Sequence, residues 1–315
     1  MRSAGASCEV VPVRIGRAGA LRHISAATDL IEALAARRAA APVRARVTVF
    51  STVTAALLSR SPDRFAVRFD SPAALNRPGA GGAWQRARER TVLARADALL
   101  PLSTVAAEAA PSREGQAVVV LPVPVEAIPH AAERDVAAVA YAGNPDKRGL
   151  DLLCRAWARR PDGQLVIGGI EREAALRWLR RRGVPEPGGV EWPGLLPRAE
   201  WLALLARARL FVNASRREDF GHSQLEALAA GARLVTVPSG GAYEALALAR
   251  ELDPGLVADA IDASALAEVI ERGIVGSRAE ADYRERALRL LRPHREAFLM
   301  KRMREAVLPA LGLCS

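Results

Sequence analysis

Lysine is almost missing from this 315-residue chain: of 45 cationic side chains, only Lys147 and Lys301 are lysine. Asparagine is equally rare, at Asn76, Asn144 and Asn213, and Phe, Trp and Tyr together make up 4%. Such scarcity beside abundant Ala and Arg reads as GC-rich coding bias. The formal charge of +10 and pI of about 10.7 therefore do not demand a polyanionic partner. Of the arginine-rich stretches, Arg284–Arg292 has no interleaved aromatic and Arg177–Arg182 has only Trp178, too few for bases to stack on, which argues against nucleic acid. Cysteine is limited to Cys8, Cys154 and Cys314, odd in number and far apart. That excludes a disulfide framework and a redox pair, and fits a reducing cytoplasm. His23, His130, His222 and His294 have no i, i+4 histidine partner and no nearby Cys ligand, so no zinc site is expected. No apolar run is long enough to span a bilayer, and Met1–Val13 lacks the apolar centre of a signal peptide. The expectation is a cytoplasmic protein, at most peripheral at the inner membrane surface, where its charge permits contact with anionic lipid.

What is present is an ordinary globular composition, 50% hydrophobic and 25% charged, long enough for two domains each with its own core. From Val136 onward, strands and helices alternate. Strands are expected at Val136–Ala142, Leu165–Ile167, Val190–Trp192, Arg209–Ala214, Leu234–Val237 and Leu256–Val257. Between and after them lie helices over Leu150–Arg160, Glu171–Arg182, Arg198–Arg207, Ser223–Ala230, Ala242–Glu251, Ala263–Arg272 and Arg278–Leu291. Alternation at this spacing predicts a doubly wound parallel sheet. Before it, the pattern predicts strands at Glu9–Val13, Val47–Phe50, Ala66–Phe69 and Val118–Leu121, and helices at Ala26–Arg38, Thr52–Arg60 and Gln85–Ala94. The glycines of Arg77–Gly82 read as a flexible loop, because no strand leads directly into them. The proline-rich run from Pro122 to Pro129 reads as an interdomain linker.

The most informative segment is 215–244, SRREDFGHSQLEALAAGARLVTVPSGGAYE. It gives a buried strand, a polar loop carrying Glu218, Asp219 and Gly221, a helix ended by Gly231, and a second strand. In a parallel sheet, ligands sit at the carboxyl ends of strands, and a helix N-terminus there offers unpaired amides to an anion. Glu218 and Glu226 bracket those amides, an arrangement suited to a ligand with hydroxyls at both ends and phosphate between. A nucleotide sugar has that shape. The competing reading makes both glutamates solvated charges at a helix end.

The segment resembles the signature of the retaining glycosyltransferases of the GT-B fold, family 4 (glycosyl transferases group 1). Their pattern, Ser-x-x-Glu-x-Phe-Gly-x-x-x-x-Glu-Ala-x-Ala-x-Gly followed by a strand and Gly-Gly-x-x-Glu, is matched at Ser215, Glu218, Phe220, Gly221, Glu226, Ala227, Ala229, Gly231, Gly240, Gly241 and Glu244. The resemblance implies an α/β, GT-B type fold: two facing Rossmann-like domains with parallel sheets. It implies that Glu218 contacts the donor sugar, that the amides around Gly221, His222 and Ser223 hold the distal phosphate, with Phe220 beside them in the substrate site, and that Glu226 binds the ribose hydroxyls. A second motif, Tyr141–Leu153, has Gly143 at a strand end. There Arg148 takes the place of the family's lysine, with Lys147 beside it, as clamp on the diphosphate. Asn144 stands where the family usually has an arginine, and the loop is shorter. Two leaving phosphates need cationic partners when no metal ligands are arranged to help. After the fifth strand the family often carries a sugar-contacting histidine. This chain has none there, and Arg68 or Asp70 is the candidate substitute, the alternative being that Asp70 is buried and caps the turn at Ser71–Pro72.

The family normally opens with a strand, a Gly-Gly loop and a helix, and no such pattern occurs here. The expectation is a first domain short by roughly fifty to sixty residues on the usual ~30 per strand–helix unit, either because the start is misassigned or because the acceptor domain is pared down. The expected organisation is an acceptor-side domain over residues 1–129, a donor-binding domain over 130–292, and a C-terminal helix over 293–315 crossing back to the first. The function implied is transfer of a hexose-like sugar from a nucleoside-diphosphate sugar to an unidentified glycan, lipid or small-molecule acceptor, without metal or other cofactor. The alternative is a catalytically weakened GT-B protein serving as a binding or scaffold partner.

Overall fold

The computed structural model describes residues 5–15, 25–59, 64–129, 131, 133–160, 163–275 and 280–313. His23, His130, Cys314, Arg60 and the start of the expected Arg278–Leu291 helix lie outside them. The chain divides into two compact units, Met1–Val123 with Glu296–Ser315, and Pro124–Arg295.

The first unit is built on a parallel sheet of β1 (Val47–Phe50), β2 (Arg64–Phe69), β3 (Ala98–Pro101) and β4 (Ala117–Val118), in that spatial order. Val67 pairs with Phe50 on one side and Leu99 on the other. Connecting helices are stopped and started by local chemistry. Thr52 and Ser103 each cap a helix, accepting the amides of Ala55 and Ala106 at 3.0 Å. The helix expected over Thr52–Arg60 ends at Ala56. Leu57 closes its last turn, donating its amide to the Val53 and Thr54 carbonyls. Residues 80–82, in the expected glycine loop, form a single 3₁₀ turn.

Two expected strands are corrected. Glu9–Val13 is irregular, and Val10 is exposed; Pro12 within it lacks an amide to donate, and an apolar run without a neighbouring ladder is no strand. Val118–Leu121 contributes only its first residue to β4, after which the chain is extended but outside the strand. At the other end of the sequence, helix Glu296–Arg302, a π-turn at Met303–Val307 and a last short helix Leu308–Ala310 close this unit. Leu299, Val307 and Leu311 pack with Ala66, Ala98, Leu100 and Leu121 in one apolar cluster.

The second unit holds a five-stranded parallel sheet of β5 (Val136–Tyr141), β6 (Leu165–Gly168), β7 (Val190–Gly194), β8 (Ala208–Asn213) and β9 (Arg233–Thr236), in the order β7-β6-β5-β8-β9. Its core gathers Leu150, Trp157, Leu165, Ile167, Leu210, Val212, Val235 and Ile270. Each aliphatic side chain taken fully from water there stabilises by about 1.5–3 kcal/mol. The expected strand Leu256–Val257 is instead the end of a 3₁₀ turn, Pro254–Leu256, after which Val257 makes one parallel bridge to Thr236. Proline at the start of this turn, with Asp253 accepting the Gly255 amide at 3.0 Å, favours the turn over a strand.

The order of the strands positions the site. The chain builds outward from β5 to β6 and β7, then returns to the other side of β5 for β8 and β9. The order therefore reverses between β5 and β8. Open α/β sheets bind ligands at such a switch point.

Candidate active site

The loop after β5 and the loop after β8 are laced together. The Arg216 amide donates to the Lys147 carbonyl at 2.9 Å, and the Arg216 guanidinium holds Asp151 at 3.0 and 2.7 Å. Within the first loop, Asn144 accepts the Arg148 amide through its carbonyl at 2.8 Å and the Lys147 amide through Oδ1 at 3.1 Å. Asn144 thus shapes the loop rather than adding charge to it. Gly149, with φ +62°, closes the loop, and a Cβ there would overlap the Ala214 carbonyl oxygen. Only glycine lets the loop lie this close to the end of β8. Gly143 lies against the Tyr141 ring.

Gly221, with φ +88°, starts the helix His222–Ala230 and would strike the Tyr243 ring if it carried a Cβ. It has no capping side chain, and the first turn, including Ser223, carries no acid. The first amides of a helix have no intrahelical acceptor, so this end keeps its partial positive charge.

Glu218 is 2% exposed. Its Oε1 accepts from the Arg148 guanidinium, from Gln224 Nε2 at 2.8 Å, and lies 2.7 Å from Ser215 Oγ. Ser215 Oγ is also 2.7 Å from Asn213 Oδ1, so its single proton serves one oxygen at a time. Asn213 in turn points Nδ2 at Thr236 Oγ1, Ser239 Oγ and the Tyr243 hydroxyl, at 3.0, 3.3 and 3.2 Å. Burial pushes the Tyr243 phenol above its ordinary range, so it stays neutral in this network. Beside this, Lys147 pairs with Asp219, and the Arg148 guanidinium sits over the Tyr141 ring, 5.3 Å from its centroid.

Glu226 is also 2% exposed. Its Oε1 meets Arg198 and His222 Nε2, the latter at 2.8 Å, and Oε2 accepts from Trp201 Nε1 at 3.3 Å. Burial alone would raise this carboxyl, but hydrogen bonds and charge from His222 and Arg198 outweigh it and hold the group below its usual range. His222 stacks on Phe220 with centroids 6.4 Å apart. His294 packs on Phe220 as well, at 6.2 Å. Burial, reinforced by His222, lowers the His294 pKa to about 4, so this ring is neutral near pH 7.

Of the residues singled out in the sequence, Gly143, Asn144, Lys147, Arg148, Glu218, Phe220, Gly221, His222, Ser223 and Glu226 fall on these two loops and the helix that opens from them. Arg68 and Asp70 lie in the first unit, at the end of β2. Arg68 is half-buried, and burial lowers its pKa against the opposing charge of Asp70. Asp70 is exposed, not buried, and its Oδ1 accepts the Ser71 amide at 2.8 Å. Sequence reasoning missed Arg198, Gln224, Asn213, Trp201 and Tyr243. Arg198 carried a usable signal, since it opens the helix Arg198–Arg207 where the dipole disfavours a cation. Among the described residues, no group of three or more His, Cys, Asp or Glu is placed to hold a metal ion, and no described helix is long and apolar enough to cross a membrane.

Residues 133–274 match the family described as glycosyl transferases group 1. No curated protein matches the chain. Among solved structures, it is similar to the α,α-trehalose-phosphate synthase (UDP-forming) of Burkholderia xenovorans, solved with glucose-6-phosphate, at 15% identity and a TM-score of 0.66 over 92% of this chain and 78% of that one. It is similar to HepE of Anabaena, solved with UDP-glucose, at 16% identity and a TM-score of 0.66, covering 89% and 82%. Sucrose-phosphate synthase of Thermosynechococcus elongatus gives 19% identity and a TM-score of 0.64, covering 87% and 76%. The fold is of the GT-B type: two α/β units, each on a parallel sheet.

Proposed function

We propose that the protein is a retaining glycosyltransferase that takes its sugar from a nucleoside-diphosphate donor. One observation carries this reading. At the switch point of the second sheet, an uncapped helix N-terminus lies between two buried glutamates, Glu218 and Glu226, with Arg148 against the first. In this reading the amides of His222 and Ser223 take the distal phosphate, Arg148 neutralises charge developing on the diphosphate, Glu218 accepts from sugar hydroxyls, and Glu226 accepts from the ribose. Gly143, Asn144 and Phe220 shape the same pocket. Arg68 and Asp70 are the first unit's candidates for contact with sugar or acceptor.

Transfer breaks the bond between the sugar's anomeric carbon and the diphosphate oxygen and forms a bond from that carbon to the acceptor oxygen on the same face. The acceptor's proton goes to the leaving phosphate oxygen. In this reading the chain's contribution is placement and charge. The acceptor is a glycan, a lipid or a small molecule.

Thermal unfolding with UDP-, GDP- and ADP-glucose tests the donor. A donor at a hundred times its Kd should stabilise by ~2.7 kcal/mol, and incubation with that donor and candidate acceptors should release the free diphosphate. No stabilisation by any of the three would overturn the reading. A second reading, binding without transfer, draws on one fact: both cations of the first loop are already paired, Lys147 with Asp219 and Arg148 with Glu218. It predicts stabilisation with no diphosphate release under any acceptor.

A further inference from the structure

Lys147 and Arg148 pair with Asp219 and Glu218, so these four charges sum to zero and offer a diphosphate no net attraction. The two pairs differ in depth. Lys147 and Asp219 are 32% and 24% exposed, whereas Arg148 is 19% exposed and Glu218 only 2%. A carboxylate as deep as Glu218 cannot lose its cation without other donors replacing it. Its three donors, Arg148, Ser215 and Gln224, all converge on Oε1, and none of them reaches Oε2. If a diphosphate draws Arg148 away, Glu218 keeps only two neutral donors. A free nucleoside diphosphate brings nothing to make up the loss. A nucleotide sugar brings hydroxyls, and Oε2 is the oxygen without a bond from those three donors.

Resting on the reading of this site as a donor pocket, we propose that Glu218 and the donor's diphosphate compete for Arg148. Sugar hydroxyls on Glu218 decide the outcome, so the site selects the intact nucleotide sugar over the free diphosphate. Once the sugar has left, Glu218 recovers Arg148 and the diphosphate is released. The same carboxylate that holds the sugar thereby promotes product departure. The shallower Lys147–Asp219 pair works in the same sense with less effect, because water compensates its charges.

The experiment is calorimetric titration of UDP, GDP and ADP, and of UDP-glucose, GDP-mannose and ADP-glucose, into the whole chain and into Glu218→Gln. The unaltered protein should prefer the sugar-bearing ligand of its base by about tenfold or more. Glu218→Gln keeps an oxygen for Ser215 and Gln224 but gives up the charge. Freed from its partner, Arg148 should raise affinity for the free diphosphate roughly ten- to a hundredfold, the value of a charge-assisted hydrogen bond, and the preference should vanish. Asp219→Asn, nearer the surface, should tighten both ligands about two- to threefold. Equal affinity for free diphosphate in the parent and Glu218→Gln overturns the proposal and leaves the donor-pocket reading standing. So does a parent protein that binds free diphosphate as tightly as its sugar conjugate, a result that needs no variant to fold. If none of the six ligands binds the parent, both fall.

Discussion

Glu89 in the first unit and Glu226 in the second are buried alike, at 4% and 2% exposure. Burial pushes the Glu89 carboxyl up to about 7, only partly opposed by the Ala73 amide it accepts. Glu226 feels a similar burial and yet falls below its usual range, because Arg198 and His222 reach it. The role of Glu89 is structural. Both its oxygens lie 2.9 Å from the Ala73 amide, at the start of a short helix whose N-cap, Pro72, has no side-chain acceptor. Glu226 sits where His222 and the Arg198 cation converge, on the helix that opens from the loop after β8. Burial of an acid marks an interior; a cation brought onto a buried acid marks a place that handles charge.

The largest effect separating the two should come from Glu89. Its folded pKa of about 7 lies above the ordinary 4.5. The folded state therefore holds a proton that the unfolded chain has already lost between those values. Its contribution to stability is fully present below pH 4.5 and is lost as pH rises through 7. Glu89→Gln mimics the protonated form, so it should stabilise the protein at pH 8 by on the order of 3 kcal/mol and by almost nothing at pH 4. Melting curves at pH 4, 6 and 8 check this, and a gain independent of pH would contradict it.

Next comes Glu226→Ala. If its partner in the complex is the ribose, every nucleotide should bind roughly ten- to a hundredfold more weakly, free diphosphates included, a loss of about 1.5–3 kcal/mol. Glu89→Ala should leave those affinities alone. Nucleotide titrations on both variants sharpen the contrast, and equal losses would erase it.

The smallest expected effect belongs to Ser215→Ala, which takes one hydrogen bond from Glu218. Affinity for free diphosphate should drop about fivefold, for a bond worth about 1 kcal/mol, because Glu218 without Arg148 then keeps only Gln224, and the nucleotide sugar, whose hydroxyls replace the lost donor, should drop less. A uniform drop for both would make Ser215 merely structural.

Much of this was legible in the sequence. Helix Arg198–Arg207 and strand β1 fall where periodicity and boundary residues put them, and Gly231 ends the signature helix as a left-handed C-cap. Local rules suffice where an element's ends are marked by residues such as Pro197 and Gly231. They failed at Glu9–Val13 and Leu256–Val257, where strand character needs a neighbour that hydropathy cannot supply. The motif residues Glu218, Gly221 and Glu226 were readable because loop, helix start and first turn are consecutive in the chain. What each glutamate touches was not. Arg148 is 70 residues from Glu218, and Arg198 is 28 from Glu226. The first pair exists because the parallel sheet places β5 beside β8, so that the loops leaving them meet; the second exists because helix Arg198–Arg207 packs against helix His222–Ala230. Sequence determined that two acids flank a bare helix end. Only the tertiary structure decided that both are already held by cations, since ion pairing follows distance in space, which the order of residues does not encode.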